Sequence, residues 1–132
     1  MIEINKIEDI VKLTIITFGY YFNDPVEQIP NWITKIIFGY SFNQPVDKLQ
    51  PKAYTKCNQG CTCCPNSIIE LTFGYNFNQC VDNLPLNLTH LTLGHNFNQP
   101  VNNLPLNLTH LTFGESFNKP VDNLPKHLIH LS

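Results

Sequence analysis

Apolar and polar positions alternate over very short stretches and then break, and the same break recurs along the chain. In Leu88-Thr89-His90-Leu91-Thr92-Leu93-Gly94, Leu91 and Leu93 flank a polar residue. A short strand with one buried face has that pattern, and a helical period does not fit it. The strand is expected to end at Gly94. Beyond it, Phe97, Val101, Leu104 and Leu108 are isolated apolar anchors among Asn and Pro. Pro100 and Pro105 forbid a regular helix there, so the return path is extended and turn structure.

The unit repeats. LTFGYNFNQCVDNLPLN begins at Leu71, LTLGHNFNQPVNNLPLN at Leu91 and LTFGESFNKPVDNLPKH at Leu111, with more divergent copies IITFGYYFNDPVEQIPN from Ile15 and KIIFGYSFNQPVDKLQ from Lys35. The repeat glycines fall at Gly19, Gly39, Gly74, Gly94 and Gly114. Their spacing is twenty residues throughout, save one interval of thirty-five between Gly39 and Gly74. The surplus is assigned to residues 50–64, with Pro65 resuming the phase. A twenty-residue coil cannot bury its own apolar face, but stacked coils pair strand to strand and set equivalent side chains in columns. The fold class predicted is mainly β: a short right-handed solenoid of about 20-residue repeats with parallel strands along one face. It forms one domain over 1–132, with a lead-in at 1–12 and a last repeat cut at 132.

Three inward columns are expected. One runs Phe22, Phe42, Phe77, Phe97 and Phe117; another Phe18, Phe38, Phe73, Leu93 and Phe113; a third Ile16, Ile36, Leu71, Leu91, Leu111 and Leu131. The Asn after each first-column Phe, at 23, 43, 78, 98 and 118, is read as a ladder of buried amides bonded to the main chain of its own and the next coil. The glycines are read as strand ends.

This pattern of strand, Phe-Gly, Phe-Asn and Pro-Val resembles the FNIP repeat, a leucine-rich-repeat-like family of social amoebae and of giant viruses that infect amoebae. The resemblance spans about Leu13 to Leu131, and it is fullest in the last three copies. It implies an LRR-like solenoid. Some family members carry an F-box ahead of the repeats, which implies a ubiquitin-ligase receptor; here only about a dozen residues, Met1 to Lys12, precede the first repeat.

Composition follows from the repeat. Seventeen Asn and ten Pro accompany only 14% charged residues, a net charge of -2 and no Arg. A neutral, Arg-free chain lacks the basic footprint that nucleic acid requires. With Ala53 its single Ala, it also lacks the makings of a helical bundle. No apolar run approaches the roughly 20 residues of a membrane span, and no secretion signal follows Met1. A cytoplasmic location is expected, the host cytoplasm if the chain is viral, with the five cysteines as thiols.

Outward positions give the candidate surface. Lys35, Glu70, His90, His110 and His130 form one column; Thr17, Ile37, Thr72, Thr92 and Thr112 a second; Tyr20, Tyr40, Tyr75, His95 and Glu115 a third. Such a face suits a protein partner, and solvent positions copied by duplication are the alternative reading. The histidine column is a possible metal or pH-responsive feature, although duplication explains its spacing and no carboxylate accompanies each ring to orient it.

Cys57, Cys61, Cys63 and Cys64 crowd the insertion, and Cys80 replaces a repeat Pro. Thiolates bind zinc, yet paired CxxC spacing is absent. No nucleophile elbow, phosphate loop or carboxylate pair points to catalysis. The sequence therefore predicts a non-enzymatic protein-interaction module without a required cofactor. The alternatives are a small zinc-binding or redox-responsive protein using the Cys57–Cys64 loop, or a decaying repeat copy. An uncapped last coil is expected to fray or self-associate.

Overall fold

The computed structural model describes residues 14–27, 29–30, 32–49 and 68–132. The lead-in, the insertion and its four cysteines lie outside them. Six short strands form one parallel sheet in chain order: β1 (Ile15–Thr17), β2 (Lys35–Ile37), β3 (Glu70–Thr72), β4 (His90–Thr92), β5 (His110–Thr112) and β6 (His130–Leu131). The sheet is the spine of a β-solenoid, as the alternation and the repeat predict. Its helical content among the described residues is a single 3-10 turn, Asp47–Leu49.

Every pairing places a residue against its repeat equivalent. Ile16 meets Ile36, Ile36 meets Leu71, Leu71 meets Leu91 and Leu91 meets Leu111. The match of Ile36 to Leu71 spans the long interval, so the surplus residues leave the register between coils untouched. Strands β1 to β5 last only three residues each because Gly and its followers turn the chain. Phe97 N–H donates to the Gly94 carbonyl at 3.3 Å, and Phe42 N–H to Gly39 at 3.4 Å, closing a four-residue turn. A later turn is closed by Leu88 N–H on the Pro85 carbonyl and by Leu108 N–H on Pro105, both at 3.2 Å.

The core is built on the three expected columns, save Leu131, with Val26, Val46, Val81 and Val101, with Ile33, Leu49 and Ile68, and with Leu84, Leu88, Leu104 and Leu108 from the return path. Phe42, Phe77 and Phe97 are fully enclosed, and no polar or charged residue is buried among the described residues. Aromatic rings stack along the columns: Phe38 on Phe73 at 5.2 Å, Phe42 on Phe77 at 6.2 Å and Phe77 on Phe97 at 6.1 Å. Rings also stack within a coil, as with Phe73 on Phe77 at 3.8 Å. Such offset pairs add to area burial. The column ends differ from the sequence expectation: Phe22 and Phe117 are half-buried, and Leu131 is exposed, because each has a described neighbour on one side alone.

Two further ladders bind the coils. The Asn that follows each enclosed Phe accepts through Oδ1 from the backbone N–H of its equivalent in the next coil. The distances are 2.7 Å for Asn43 on Asn23, 2.9 Å for Asn78 on Asn43, and 2.8 Å for Asn98 on Asn78 and for Asn118 on Asn98. Gln44, Gln79 and Gln99 add Nε2–H bonds to the same asparagines. The expected ladder exists, with one correction: these amides are half-exposed or exposed, since they close the side of the stack instead of its centre.

The glycines do more than end strands. A Cβ at Gly39 would collide with the carbonyl oxygen of Gly19, at Gly74 with that of Gly39, at Gly94 with that of Gly74, and at Gly114 with that of Gly94. Backbone of one coil passes so near the next that only hydrogen fits. Gly19 itself meets no such atom.

Two substitutions test this packing. Phe97→Ala is expected to cost about 3–5 kcal/mol in urea unfolding, because it empties an enclosed site between Phe77 and Phe117. Gly94→Ala is expected to cost about 3 kcal/mol or more, as the clash is with backbone that cannot swing aside, whereas Gly19→Ala should be tolerated.

Candidate functional surface

The outward face of the sheet collects the predicted surface residues into three files, and the structure brings each file together. On the strands, alternation buries Leu71, Leu91 and Leu111 and turns Glu70, His90 and His110 outward on one side and Thr72, Thr92 and Thr112 on the other. The threonines are half-buried in register with Thr17 and Ile37.

The first file begins with an ion pair, Lys35 Nζ to Glu70 Oε2 at 3.3 Å, both half-exposed. It continues with stacked imidazoles: His90 and His110 have centroids 4.1 Å apart and planes 8° apart, while His130 is 5.7 Å from His110 and tilted by 32°. A partner the sequence reading did not foresee orients two of these rings. The Thr89 hydroxyl lies 2.8 Å from His90 Nδ1, and the Thr109 hydroxyl 2.9 Å from His110 Nδ1. Thr89 Oγ1 also reaches the Ile69 carbonyl, and Thr109 Oγ1 the Thr89 carbonyl, each at 3.1 Å. The signal is legible in the Leu-Thr-His triplets at 88 and 108, where the orienting oxygen belongs to the residue before each histidine.

The third file sits on the Gly-x-x-Phe turns. Tyr20 stacks on Tyr40 and Tyr40 on Tyr75, both at 4.8 Å, and Tyr75 stacks on His95 at 4.4 Å. His95 then ends on Glu115, Nε2 to Oε2 at 3.2 Å, with its Nδ1 3.0 Å from Asn96 Oδ1. The turns beneath are tied by backbone bonds: Ser41, Asn76, Asn96 and Ser116 N–H each donate at 3.0 Å to the carbonyl of Tyr20, Tyr40, Tyr75 or His95 one coil back. Tyr20, Tyr40 and Tyr75 keep 55%, 38% and 39% of their surface exposed, so the file is both ordered and open.

Cys80 is exposed and far from thiolate chemistry. A backbone hydrogen bond at Asp82 favours the thiolate, but burial and the Asp82 carboxylate outweigh it and push the thiol above its usual range; Sγ donates to Asp82 Oδ2 at 3.2 Å. Cys57, Cys61, Cys63 and Cys64 lie outside the described residues. Among the described residues, no group of three or more His, Cys, Asp or Glu is arranged around a metal position, and no helix is long and apolar enough to cross a membrane.

Parallel strands in chain order, one per coil, with columns of Leu, Phe and Asn, define an LRR-like repeat solenoid. The family model of the FNIP Repeat matches residues 25–50 and 100–132, so FNIP repeats are recognised in those two segments. Among solved structures it is similar to CroV588, a circular LRR protein of a giant virus, at 41% identity and a TM-score of 0.59 over 87% of this chain. The chain spans 19% of that protein's length. No curated protein matches the sequence.

The histidine file carries a pH dependence. His110 is held below the ordinary imidazole value, first by loss of solvent and then by the charges that His90 and His130 would acquire. A depressed folded-state value means that the unfolded chain binds the proton more readily, so this contribution lowers stability as pH falls through about 6.5 and vanishes above it. Urea unfolding of His110→Asn should therefore gain on the unsubstituted protein between pH 8 and pH 5. An equal response of both proteins would exclude the effect.

Proposed function

We propose that this chain is a non-enzymatic protein-interaction module of the cytoplasm, engaging a polypeptide partner through the sheet face and its flanking turns. The observation that carries this reading is the stacked file Tyr20–Tyr40–Tyr75–His95, held in place before any partner arrives. A partner that meets ordered side chains loses less conformational freedom on binding than one that must order them. Because the ring faces are occupied by one another, contact is made by ring edges and phenol hydroxyls, beside the half-exposed Thr72, Thr92 and Thr112. Hydrogen bonding combined with rigid aromatic area is the chemistry of polypeptide recognition. An Arg-free chain of net charge -2 gives nucleic acid little to hold. The resemblance to FNIP repeats supports a binding role without supplying the partner's identity.

A triple variant, Tyr40→Ala, Tyr75→Ala and His95→Ala, tests the assignment against a control at Leu106, a 77% exposed residue on the Pro105 turn. Affinity capture from social-amoeba lysate should recover a partner with the unsubstituted chain and with Leu106→Ser, and at least tenfold less with the triple variant. Equal recovery by all three would remove the face from consideration.

A further inference from the structure

We propose that the tyrosine file binds a polypeptide segment in the polyproline II conformation, laid along the stack over the first three coils. The inference rests on the reading of this face as a polypeptide-binding surface and adds the conformation of the bound chain. Its starting point is a row of unfilled donors. Tyr20, Tyr40 and Tyr75 are repeat equivalents whose ring planes differ by 8° and 10°, so their phenol hydroxyls recur at the 4.8 Å interval of the rings. Among the described residues no acceptor is bonded to these hydroxyls. The row ends at the fourth coil, where His95 takes the next place and its Nε2 meets Glu115 at 3.2 Å.

Three regular backbones can be laid along such a row, and their carbonyl spacing separates them. An α-helix bonds its carbonyls to its own N–H groups and offers none along its side. An extended strand directs carbonyls to one side about every 6.6–6.8 Å, which matches neither one coil nor two. Polyproline II makes no internal hydrogen bond, rises about 3.1 Å per residue and turns once in three residues, so carbonyls facing one way recur at about 9.3 Å. Two coils span about 9.6 Å, twice the tyrosine interval. The carbonyl of residue i therefore meets Tyr20 and that of i+3 meets Tyr75. The two carbonyls between them point elsewhere, and Tyr40 offers its ring edge. Beside the row, Ile37 and Thr72 are half-buried while Tyr40 and Tyr75 are exposed, a step against which pyrrolidine rings pack. Proline-rich segments dock on aromatic surfaces in this manner, and a preformed helix loses little freedom on binding.

The test uses the full-length chain with carbon-13-labelled tyrosine rings, titrated at pH 7.5 with a polyproline peptide of about nine residues. The rings of Tyr20, Tyr40 and Tyr75 should shift along one saturation curve, and a glycine–serine peptide of the same length should bind at least about fivefold more weakly. Removing a hydroxyl leaves the ring stack in place and gives the sharper readout. Tyr20→Phe and Tyr75→Phe should each weaken binding about fivefold, and Tyr40→Phe less than about twofold. No saturable shift, equal losses at the three tyrosines, or equal binding of the glycine–serine peptide overturns the proposal. If polyproline does not bind while capture from lysate still depends on Tyr40, Tyr75 and His95, this inference alone falls and the binding face stands.

Discussion

Neighbouring coils are held at one strand spacing, in register, by parallel main-chain bonds on either side of each strand. Thr34, Thr89 and Thr109 N–H donate back one coil, at 2.7, 2.8 and 2.9 Å, and Phe18, Phe38, Phe73 and Leu93 N–H donate forward at 2.8, 2.8, 2.9 and 2.8 Å. That spacing is roughly 4.8 Å, and side chains adapt to it. The glycine file is the strictest consequence. Where backbone passes backbone, no atom beyond hydrogen is admitted, and the same position is Gly in all five coils. The rings show the freer response. Tyrosines on the turns stack at 4.8 Å, nearly the strand spacing, while the enclosed phenylalanines lie at 6.1–6.2 Å with planes still within about ten degrees. A wider centroid distance between parallel rings requires a sideways offset, and the offset lets Phe77 cover Phe73 within its own coil at 3.8 Å.

A stack with a wholly apolar centre must satisfy its polar backbone at the rim. Three files share that work: the asparagines along the return path, the turn carbonyls beneath the tyrosines, and the threonines just ahead of the strands. Each joins one coil to the next through atoms that a single coil would leave unpaired. Stability is therefore a property of neighbouring coils, as expected for a repeat array. The insertion between Leu49 and Ile68 leaves this intact: Asn78 N–H still bonds Asn43 Oδ1 at 2.9 Å, and Ile69 N–H still bonds the Thr34 carbonyl at 2.8 Å.

Much of this architecture is legible in the amino-acid order because a period of twenty residues assigns neighbours without any calculation of energy. The Phe and Leu columns, the outward files and the phase held across the long interval all follow from counting. What counting misses is depth and approach. Nothing in Phe-Asn says that the amide closes the side of the stack and stays half-exposed. Nothing in Phe-Gly distinguishes a glycine that turns the chain from one that lets two backbones touch. Nor does the order Leu-Thr-His say that the Thr89 and Thr109 hydroxyls reach Nδ1 of the following histidines; that contact depends on how the chain enters the strand.

Where the coils differ, the stacking rule still governs which differences are possible. Along the turn file, Tyr75 is followed by His95 and His95 by Glu115. Histidine is compatible with both neighbours, since its ring stacks on the tyrosine at 4.4 Å and its Nε2 meets the carboxylate at 3.2 Å. Glu115 directly above Tyr75 would cover the tyrosine ring with a charge and meet no ring nitrogen. The strand file obeys the same logic with Lys35 beside Glu70 and imidazole beside imidazole. A change at one coil thus alters the environment of the equivalent residues on either side, and the surface chemistry of the solenoid varies in steps that each neighbouring coil accommodates. The individuality of this chain lies in the order of residues along its files.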